Sequence, residues 1–538
     1  DADVSASTIS GSTNVVLGGT ANVKGDVFGG GWGGYTNAKQ GGLIKGNTNI
    51  TIKGDAVVDG TIYGGGVAGM TDILGSKNLN IGTENEAYNG TTALKVADFD
   101  TVTVNKGTNA KIESLTFNQT GAVVSGVTVK DGASLVVEGD VVRNYNNITN
   151  SGSLVSGLNG GDAVVNGTVR TVIDGANTKL AKFYGGNGGN QKQGEYTYNG
   201  KVYTDAVPKG TSTVGAVDIT INNGTISDFM IASGAMHSDV LGNVDVKING
   251  GYVDSIFGGA CGANVGGDIN ITVTGGKIGS IAAGSCGSGE GIREDGVVGG
   301  STNVVLGGDA VVTGDVYGGG WSGGEKWRDT IKGGTNITLK DSAAVSGTIY
   351  GGSWSGTGTI GGEKSLNIGT AESAYNGQSS LKVSDFQNIS VVNGSADISS
   401  FTQAAEGTLI TVASGAKLAM TANAADQFSN TEVSNNGSFA LRRGALADSA
   451  QAVFKGYTGN GEVSAYGGVF DASTNTFTAG KSAEAGVSAK VGSDLLNDVQ
   501  SVSFNQDGKE LLNLDFDVSN MGDKKLTVVS VDVVDASQ

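Results

Sequence analysis

The chain has 538 residues, of which 94 are glycine, one is proline and two are cysteine, and its formal net charge is −18. Glycine without a three-residue period excludes collagen, and the acidic balance opposes nucleic-acid binding. No stretch approaches the roughly 20 apolar residues of a membrane span, so we expect no membrane insertion. The chain starts at Asp1 without Met, and we expect a mature, processed product.

Short apolar runs that end in glycine clusters recur along the first part of the chain. Residues 14–34 read NVVLGGTANVKGDVFGGGWGG and residues 49–69 read NITIKGDAVVDGTIYGGGVAG. The alternation places the apolar side chains of each run on one face of a strand, and the glycines permit turns with positive φ. Asn14 and Asn49 open the two runs, and stacked asparagines can form a hydrogen-bonded ladder. The pattern predicts short strands wound into coils.

Residues 75–155 read as further short strands separated by Asn, Asp and Gly turns. Residues 157–210 are less regular, and we interpret the part near residues 185–210 as an excursion from the coils. Pro208 lies in this excursion, which fits a stretch outside the sheets.

The clearest short repeat lies in residues 243–287. NVDVKINGGYVDSIFGGACG begins at Asn243 and DINITVTGGKIGSIAAGSCG begins at Asp268, so the period is 268 − 243 = 25 residues. One copy cannot enclose its own apolar face, whereas stacked copies can. The sequence therefore predicts an all-β fold, a parallel β-helix (β-solenoid).

The two cysteines have the same spacing as this repeat, because 286 − 261 = 25. Stacked coils would place Cys261 and Cys286 about 4.8 Å apart, which suits the Cα separation of a disulfide, about 4.4–6.8 Å. A bond across one coil fits an oxidising, extracytoplasmic compartment. The alternative is two reduced cysteines stacked as small buried residues.

A long block of the chain is duplicated. STNVVLGG at residues 12–19 returns at 301–308, and LKVADF at 94–99 returns as LKVSDF at 381–386. We predict a first solenoid block over residues 1–210, three short coils over 211–298, a second, duplicated block over 299–480, and a C-terminal β segment over 481–538. That last segment alternates cleanly and has little glycine, so we interpret it as a small antiparallel element that caps the solenoid or pairs with a partner.

Catalytic chemistry has little support in the sequence. His237 is the only histidine, which excludes a histidine-based metal cluster, and we expect no catalytic, cofactor or metal site. The remaining candidates for contacts are aromatic: Trp32, Trp321, Trp327 and Trp354 follow or lie near glycine clusters. They could stack on sugar rings or on another protein, or they could simply shield a corner of the solenoid.

The repeated N-x-[IV]-x…GG runs and the phrases VASGAKLAM and SNNGSFAL resemble secreted β-helical proteins of the autotransporter-passenger and adhesin type. The resemblance covers roughly residues 10–480. It implies a right-handed β-helix displayed at the surface of a bacterium, where such proteins serve adhesion or surface structure.

Two hypotheses of different class follow. The first is a secreted structural or adhesive cell-surface protein that associates end to end through terminal β-strands and contacts a glycan or protein receptor. The alternative is a glycan-binding or polysaccharide-degrading β-helix protein, because the same fold also hosts such enzymes.

Overall fold

The computed structural model describes residues 7–31, 42–67, 71–122, 126–160, 162–188, 196–198, 201–203, 212–234, 238–259, 263–285, 296–321, 329–354, 358–480, 501–506 and 509–515. The chain forms two compact units, Asp1–Lys364 (unit 1) and Ser365–Gln538 (unit 2). The described residues contain β-strands and no α-helix. None of their segments is a helix with the length and apolarity that crossing a membrane requires.

The strands of unit 1 are short and follow one another closely. In the first part they are β1 (Thr8–Ile9), β2 (Thr13–Leu17), β3 (Asn22–Val23), β4 (Val27–Phe28), β5 (Gly42–Ile44), β6 (Thr48–Ile52), β7 (Val57–Val58), β8 (Thr61–Tyr63), β9 (Thr71–Ile73), β10 (Lys77–Ile81), β11 (Lys95–Ala97), β12 (Thr101–Val104), β13 (Asn109–Ile112), β14 (Leu115–Ala122), β15 (Val127–Val129), β16 (Ser134–Val137), β17 (Val141–Val155), β18 (Asp162–Asp174) and β19 (Lys179–Tyr184).

The second part of unit 1 continues in the same way. Its strands are β20 (Tyr196–Tyr198), β21 (Lys201–Tyr203), β22 (Ser212–Ile221), β23 (Thr225–Ile231), β24 (Ser238–Val240), β25 (Val244–Ile248), β26 (Tyr252–Phe257), β27 (Ile269–Val273), β28 (Lys277–Ala282), β29 (Gly296–Val298), β30 (Thr302–Leu306), β31 (Val311–Val312), β32 (Val316–Tyr317), β33 (Asp329–Ile331), β34 (Thr335–Leu339), β35 (Ala344–Val345), β36 (Thr348–Tyr350) and β37 (Thr359–Ile360).

Parallel pairing between successive coils confirms the predicted parallel β-helix. β2, β6, β10, β12 and β15 pair in that order, and so do β22, β25, β27, β30 and β34. Val244 pairs with Ile269 and Ile248 with Val273, so the coils of the short repeat stack with the predicted 25-residue offset. Within the predicted excursion, β20 and β21 form an antiparallel hairpin.

The core of unit 1 consists of the apolar residues that alternate along these strands. Ile50, Val246 and Ile271 are each at most 1% exposed, and they lie in strands whose burial alternates residue by residue. Because like residues lie over like residues, the coils share one interior that no single coil could enclose. Burial of these side chains is therefore the main stabilising term.

The two duplicated blocks repeat one internal hydrogen bond. The Oγ1 of an inward-facing threonine at the start of a strand donates to the carbonyl of the first glycine of the corner 16 residues later, at 2.5–2.6 Å. The four pairs are Thr13 with Gly29, Thr48 with Gly64, Thr302 with Gly318 and Thr335 with Gly351. A Cβ on Gly318 would lie 2.7 Å from the Gly351 carbonyl oxygen, so the corner requires glycine.

Unit 2 also contains stacked coils. Its strands are β38 (Lys364–Ile368), β39 (Leu381–Ser384), β40 (Asn388–Val391), β41 (Ser395–Thr402), β42 (Thr408–Val412), β43 (Lys417–Ala422), β44 (Thr431–Asn435), β45 (Ser438–Arg443), β46 (Gln451–Val453), β47 (Gly456–Thr458), β48 (Glu462–Tyr466), β49 (Gly468–Asp471), β50 (Thr476–Ala479), β51 (Ser501–Gln506) and β52 (Lys509–Asp515). Parallel ladders join β38, β40, β42, β44 and β47 in one row and β39, β41, β43, β45 and β48 in another.

Unit 2 also contains antiparallel pairing, formed by strands that lie before and after the last parallel strands β47 and β48. β46, β50 and β49 form a three-stranded antiparallel sheet. Phe454 stacks on the buried Phe428 with ring centroids 4.3 Å apart, and Phe470 meets Phe454 edge-on at 5.9 Å. β51 and β52 are also antiparallel, as the alternation of this segment predicts. The predicted domain boundaries at residues 210, 298 and 480 stay predictions.

We expect Ile271→Ala to destabilise unit 1 by about 2–5 kcal/mol, because it removes a fully buried side chain and leaves a cavity. The loss should be local, since each coil contacts only its neighbours. Hydrogen exchange should show faster exchange in β25, β27 and β30. Thr272→Ala, an outward-facing neighbour, is the control. Equal effects of the two substitutions, or loss spread evenly into unit 2, would contradict this account of the core.

Candidate assembly edge and aromatic corner

The first coil of unit 1 pairs on one side only within the described residues. Its four strands β1, β2, β3 and β4 each lie at the edge of their sheet, and their described partners are β5, β6, β7 and β8. We call these four strands the open coil. A strand edge of this kind is a template for pairing with another chain.

The backbone of β2 shows which groups face the open side. The N–H of Thr13 donates to the Asn47 carbonyl, and the Leu17 carbonyl accepts from the Lys53 N–H, so both residues face the second coil. Because backbone groups of successive strand residues point in opposite directions, the N–H and C=O of Asn14 and Val16 point away from it. These groups form the edge that a further strand can use.

The inward face of the open coil is also incompletely covered. Val15 and Leu17 are half-buried, whereas Ile50 and Ile52, their partners in the second coil, are 0% exposed. The outward-facing Val16 is 60% exposed. The open coil therefore combines free backbone groups with apolar surface that one further strand would bury.

The predicted asparagine ladder is present and has one direction. Asn49 Nδ2 donates to Asn14 Oδ1 at 2.9 Å, and Asn78 Nδ2 donates to Asn49 Oδ1 at 2.9 Å. Thr101 Oγ1 then donates to Asn78 Oδ1 at 2.7 Å. In each step the later coil donates to the earlier one. At Asn14 the amide nitrogen consequently lies on the open side, with no earlier described coil to receive its hydrogen bond.

A second feature lies at the glycine corner of the duplicated block. Parallel register places Tyr317 beside Tyr350 and Trp321 beside Trp354. The tyrosine rings stack at 4.8 Å with planes 7° apart, and the tryptophan rings stack at 5.3 Å with planes 28° apart. Phe257 meets Trp321 edge-on at 6.5 Å. We call these five residues the aromatic corner.

The structure brings two of the four predicted tryptophans together. Trp321 and Trp354 are each 38% exposed, while Trp32 and Trp327 lie outside the described residues. Because the two indoles stack on each other, each covers one face of its neighbour. This arrangement fits the shielding interpretation, and it leaves a narrower surface for a ligand than two separate rings would.

A buried carboxylate beside the aromatic corner was not predicted from the sequence. Asp329 is 0% exposed, and its Oδ2 accepts from the Gly320 N–H at 2.6 Å and from Ser353 Oγ at 2.9 Å. The bonds tie the start of β33 to the residue before Trp321 and to the residue before Trp354. Asp329 therefore helps to position both Trp321 and Trp354.

Arg143 is a second buried charged residue that was not predicted from the sequence. Its side chain is 1% exposed and lies over the ring of Phe117, with the guanidinium carbon 3.8 Å from the ring centroid. Nε donates to the Ser156 carbonyl at 2.6 Å, and a terminal nitrogen donates to the Gly157 carbonyl at 3.1 Å. Burial lowers the pKa of Arg143. Its alternation with Val141 and Tyr145 was the signal that it faces inward.

The predicted disulfide and the single histidine fall outside the described part of the chain. Cys261, Cys286 and His237 lie outside the described residues. Phe257 and Ala282, each four residues before a cysteine, pair with the 25-residue offset. The strands that precede the two cysteines are therefore in register, and the disulfide itself stays a prediction. Among the described residues, no group of three or more His, Cys, Asp or Glu could hold a metal ion.

Comparison with known proteins gives no relative: the chain matches no protein-family model, no curated protein and no solved structure.

Tyr317 provides a pH test of the aromatic corner. Burial is the largest cause that raises the pKa of Tyr317. The hydrogen bond from its hydroxyl to Asp315 Oδ2 at 2.9 Å and the negative charge of Asp315 raise this pKa further. A raised tyrosine pKa means that the folded state prefers the neutral phenol. Its stabilising contribution is therefore present below the ordinary value of about 10 and is lost as pH rises above it.

Absorbance titration of tyrosinate should accordingly show that Asp315→Asn lowers one tyrosine pKa. The amide oxygen can still accept the Thr348 N–H, which donates to Asp315 Oδ1 at 2.7 Å, so the fold should survive. Asp309→Asn, which removes a carboxylate elsewhere in the same coil region, is the control. An unchanged titration curve in Asp315→Asn would show that the Asp315 contact does not govern Tyr317.

Proposed function

We propose that this protein is a secreted structural or adhesive component of a bacterial cell surface, and that copies associate end to end through their terminal β-strands. The observation that carries the proposal is the open coil, whose four strands are all sheet edges within the described residues. Such an edge supplies both main-chain hydrogen bonds and apolar surface to an added strand.

An uncovered strand edge is a liability for a free protein. Exposed strand edges promote pairing with other chains, and natural proteins blunt them with charges, prolines or covering elements. β2 has the sequence TNVVL, with no charge and no proline. The absence of such protection within β2 favours an edge that is used for association.

Association of a fixed edge with a different surface of the next copy is a head-to-tail contact. Contacts of this kind form open filaments when the rotation between copies does not close a ring. A surface filament of stacked solenoids would serve reach and adhesion, which agrees with the resemblance to adhesin-type β-helical proteins. The acidic net charge of −18 would keep the free protein soluble before it assembles.

A second candidate function is glycan binding at the aromatic corner. The partial exposure of Trp321 and Trp354 is the observation that favours it, because partly exposed aromatic rings can pack against the apolar faces of sugars. Stacking of the two indoles on each other limits the area that a sugar could cover. We therefore place this function second, as a means of adhesion rather than of catalysis.

The sequence TNVVL occurs in both β2 and β30, which gives a matched test of the assembly edge. Val16 directs its N–H to the open side, whereas Val305, at the same position in β30, pairs with Thr272 of β27. Proline removes the N–H and adds a bulky ring. Val16→Pro should therefore abolish association with little loss of stability, and Val305→Pro should destabilise unit 1.

Sedimentation and electron microscopy of the wild type over a range of concentrations give the readout. Particles that stay monomeric at every concentration would overturn the proposal of end-to-end association. Filaments formed equally well by Val16→Pro would show that copies associate through another surface.

For the second candidate, the double substitution Trp321→Ala with Trp354→Ala should reduce binding to any glycan found on an array by tenfold or more, about 1.4 kcal/mol. Leu241→Ala, which removes another exposed apolar side chain, is the control. No bound glycan on the array, or unchanged affinity of the double variant, would exclude this use of the aromatic corner.

A further inference from the structure

We propose that the aromatic corner is part of a longer binding face for a linear, uncharged polysaccharide, whose chain lies along the axis of the unit 1 solenoid. This inference rests on the second candidate function and names the class of glycan and its direction on the protein. The evidence for it is two parallel rows of outward-facing side chains, one aromatic and one polar.

The aromatic row is longer than the corner itself. Tyr184 meets Phe229 with ring centroids 5.9 Å apart, and Phe229 meets Phe257 at 6.3 Å. Phe257 contacts Trp321, which stacks on Trp354. We call these five residues the aromatic row. Parallel pairing joins β19, β23, β26, β28, β32 and β36 in that order, so the row extends over about 24 Å at the usual spacing of strands.

Ring contacts cover less of the aromatic faces in this extension than in the tryptophan pair. The planes of Tyr184 and Phe229 differ by 87° and those of Phe229 and Phe257 by 76°, so both contacts are edge-to-face. An edge-to-face contact covers a face of one ring, whereas stacking covers a face of both. All three rings are partly exposed. A sugar chain therefore meets more apolar surface along the row than the two indoles alone provide.

The polar row lies beside the aromatic surface on the same outward face. Its members are Ser255, Ser280, Asp315 and Thr348, which the parallel register of β26, β28, β32 and β36 places next to one another. They come two residues before Phe257, Ala282, Tyr317 and Tyr350. Because residues two apart in a strand share a face, each polar side chain stands next to an apolar one. The four polar residues are all partly exposed.

This pairing of rows matches the two kinds of surface on a sugar. A pyranose ring has apolar C–H faces, which pack on aromatic rings, and a rim of hydroxyl groups, which need polar partners at fixed places. Both rows advance by one coil, about 4.8 Å, and this step is comparable with the length of one sugar unit in an extended chain. A linear glycan laid along the axis can therefore contact both rows at every coil.

The charges on this face favour a glycan without acidic groups. Asp254 Oδ1 accepts from the Tyr252 hydroxyl at 2.7 Å, and Asp315 Oδ2 accepts from the Tyr317 hydroxyl at 2.9 Å. Hydroxyl groups hold both carboxylates, so their negative charges remain to repel uronic acids or sulfate groups. Their remaining lone pairs can accept from sugar hydroxyls.

The positive charge at the other end of the aromatic row is balanced. Lys182 lies over the Phe229 ring at 5.3 Å, and its Nζ is 3.7 Å from Asp228 Oδ2. This end therefore adds no net attraction for an acidic chain.

The alternative is that the rings only shield the chain beneath them. Ile231 and Ala263 are 7% and 3% exposed and pack against Tyr184, Phe229 and Phe257. Shielding requires apolar contact but no polar row in register with it. The two interpretations also differ in what a lost ring does, since shielding affects stability and a binding face affects affinity.

Calorimetric titration of the full-length protein with oligosaccharides of two lengths tests the face. The neutral probes are cello-, xylo-, manno- and chito-oligosaccharides of two and six units, and oligogalacturonides of the same lengths are the acidic comparison. We expect at least one neutral hexamer to bind tenfold or more tightly than its dimer, and tenfold or more tightly than the acidic hexamer.

Phe229→Leu tests the aromatic row outside the corner, because leucine keeps an apolar side chain but removes the ring. It should weaken hexamer binding at least tenfold and leave dimer binding within twofold. Phe28→Leu is the matched control. Phe28 corresponds to Tyr317 in the first copy of the duplicated block (317 − 28 = 289, the offset of the repeated STNVVLGG run), and its ring stacks on Tyr63 at 4.9 Å.

Each other result overturns a defined part of the proposal. Equal affinity for dimer and hexamer would overturn the extended chain, and tighter binding of the acidic hexamer would overturn the argument from charge. If Phe229→Leu changed the melting temperature but not hexamer affinity, the row would be a shield and any glycan site would be confined to the aromatic corner. Binding of a glycan on an array without binding of these neutral probes would overturn the inference and leave the second candidate function standing. No bound glycan of any kind would overturn both.

Discussion

In-register parallel stacking of similar side chains is the constraint on which the solenoid depends. Each coil has an apolar face too small to exclude water alone, and it gains an interior only when the next coil repeats its pattern in register. The pairing of Val246 with Ile271, and of Ile271 with Val304, is one instance of this dependence. The same requirement makes the corners glycine-rich, because a Cβ on Gly318 would meet the backbone of the next coil.

The same constraint explains what the first coil lacks. Every inner coil buries its inward residues between two neighbours, whereas Val15 and Leu17 have one described neighbour only. The proposed association is the stacking rule of the fold applied between copies rather than within one. The two candidate functions differ in this respect, because the rings of the aromatic corner already stack on each other within the chain.

The fold was largely predictable because its determinants are local and repeated. The alternation around Ile271 and the spacing of 25 residues predict which strand residues face inward and by how many residues successive coils are offset. The antiparallel sheet of β46, β50 and β49 was not predicted, because Phe454 and Phe477 occur once each in a stretch that the duplication suggested would continue the coils. Asp329 was missed because its partners Gly320 and Ser353 are 9 and 24 residues away and meet it only through the coil register.

The asparagine ladder of the central coils has a direction that one residue determines. Asp245 has no side-chain donor, so Asn270 must donate to it, and Asn303 and Asn336 then donate in the same sense. Hydrolysis of the Asn303 amide would replace the donor to Asn270 with a second carboxylate and split the column at that coil. Slow deamidation would therefore weaken the solenoid from its outer surface inward, one coil at a time, while its apolar interior stayed chemically intact.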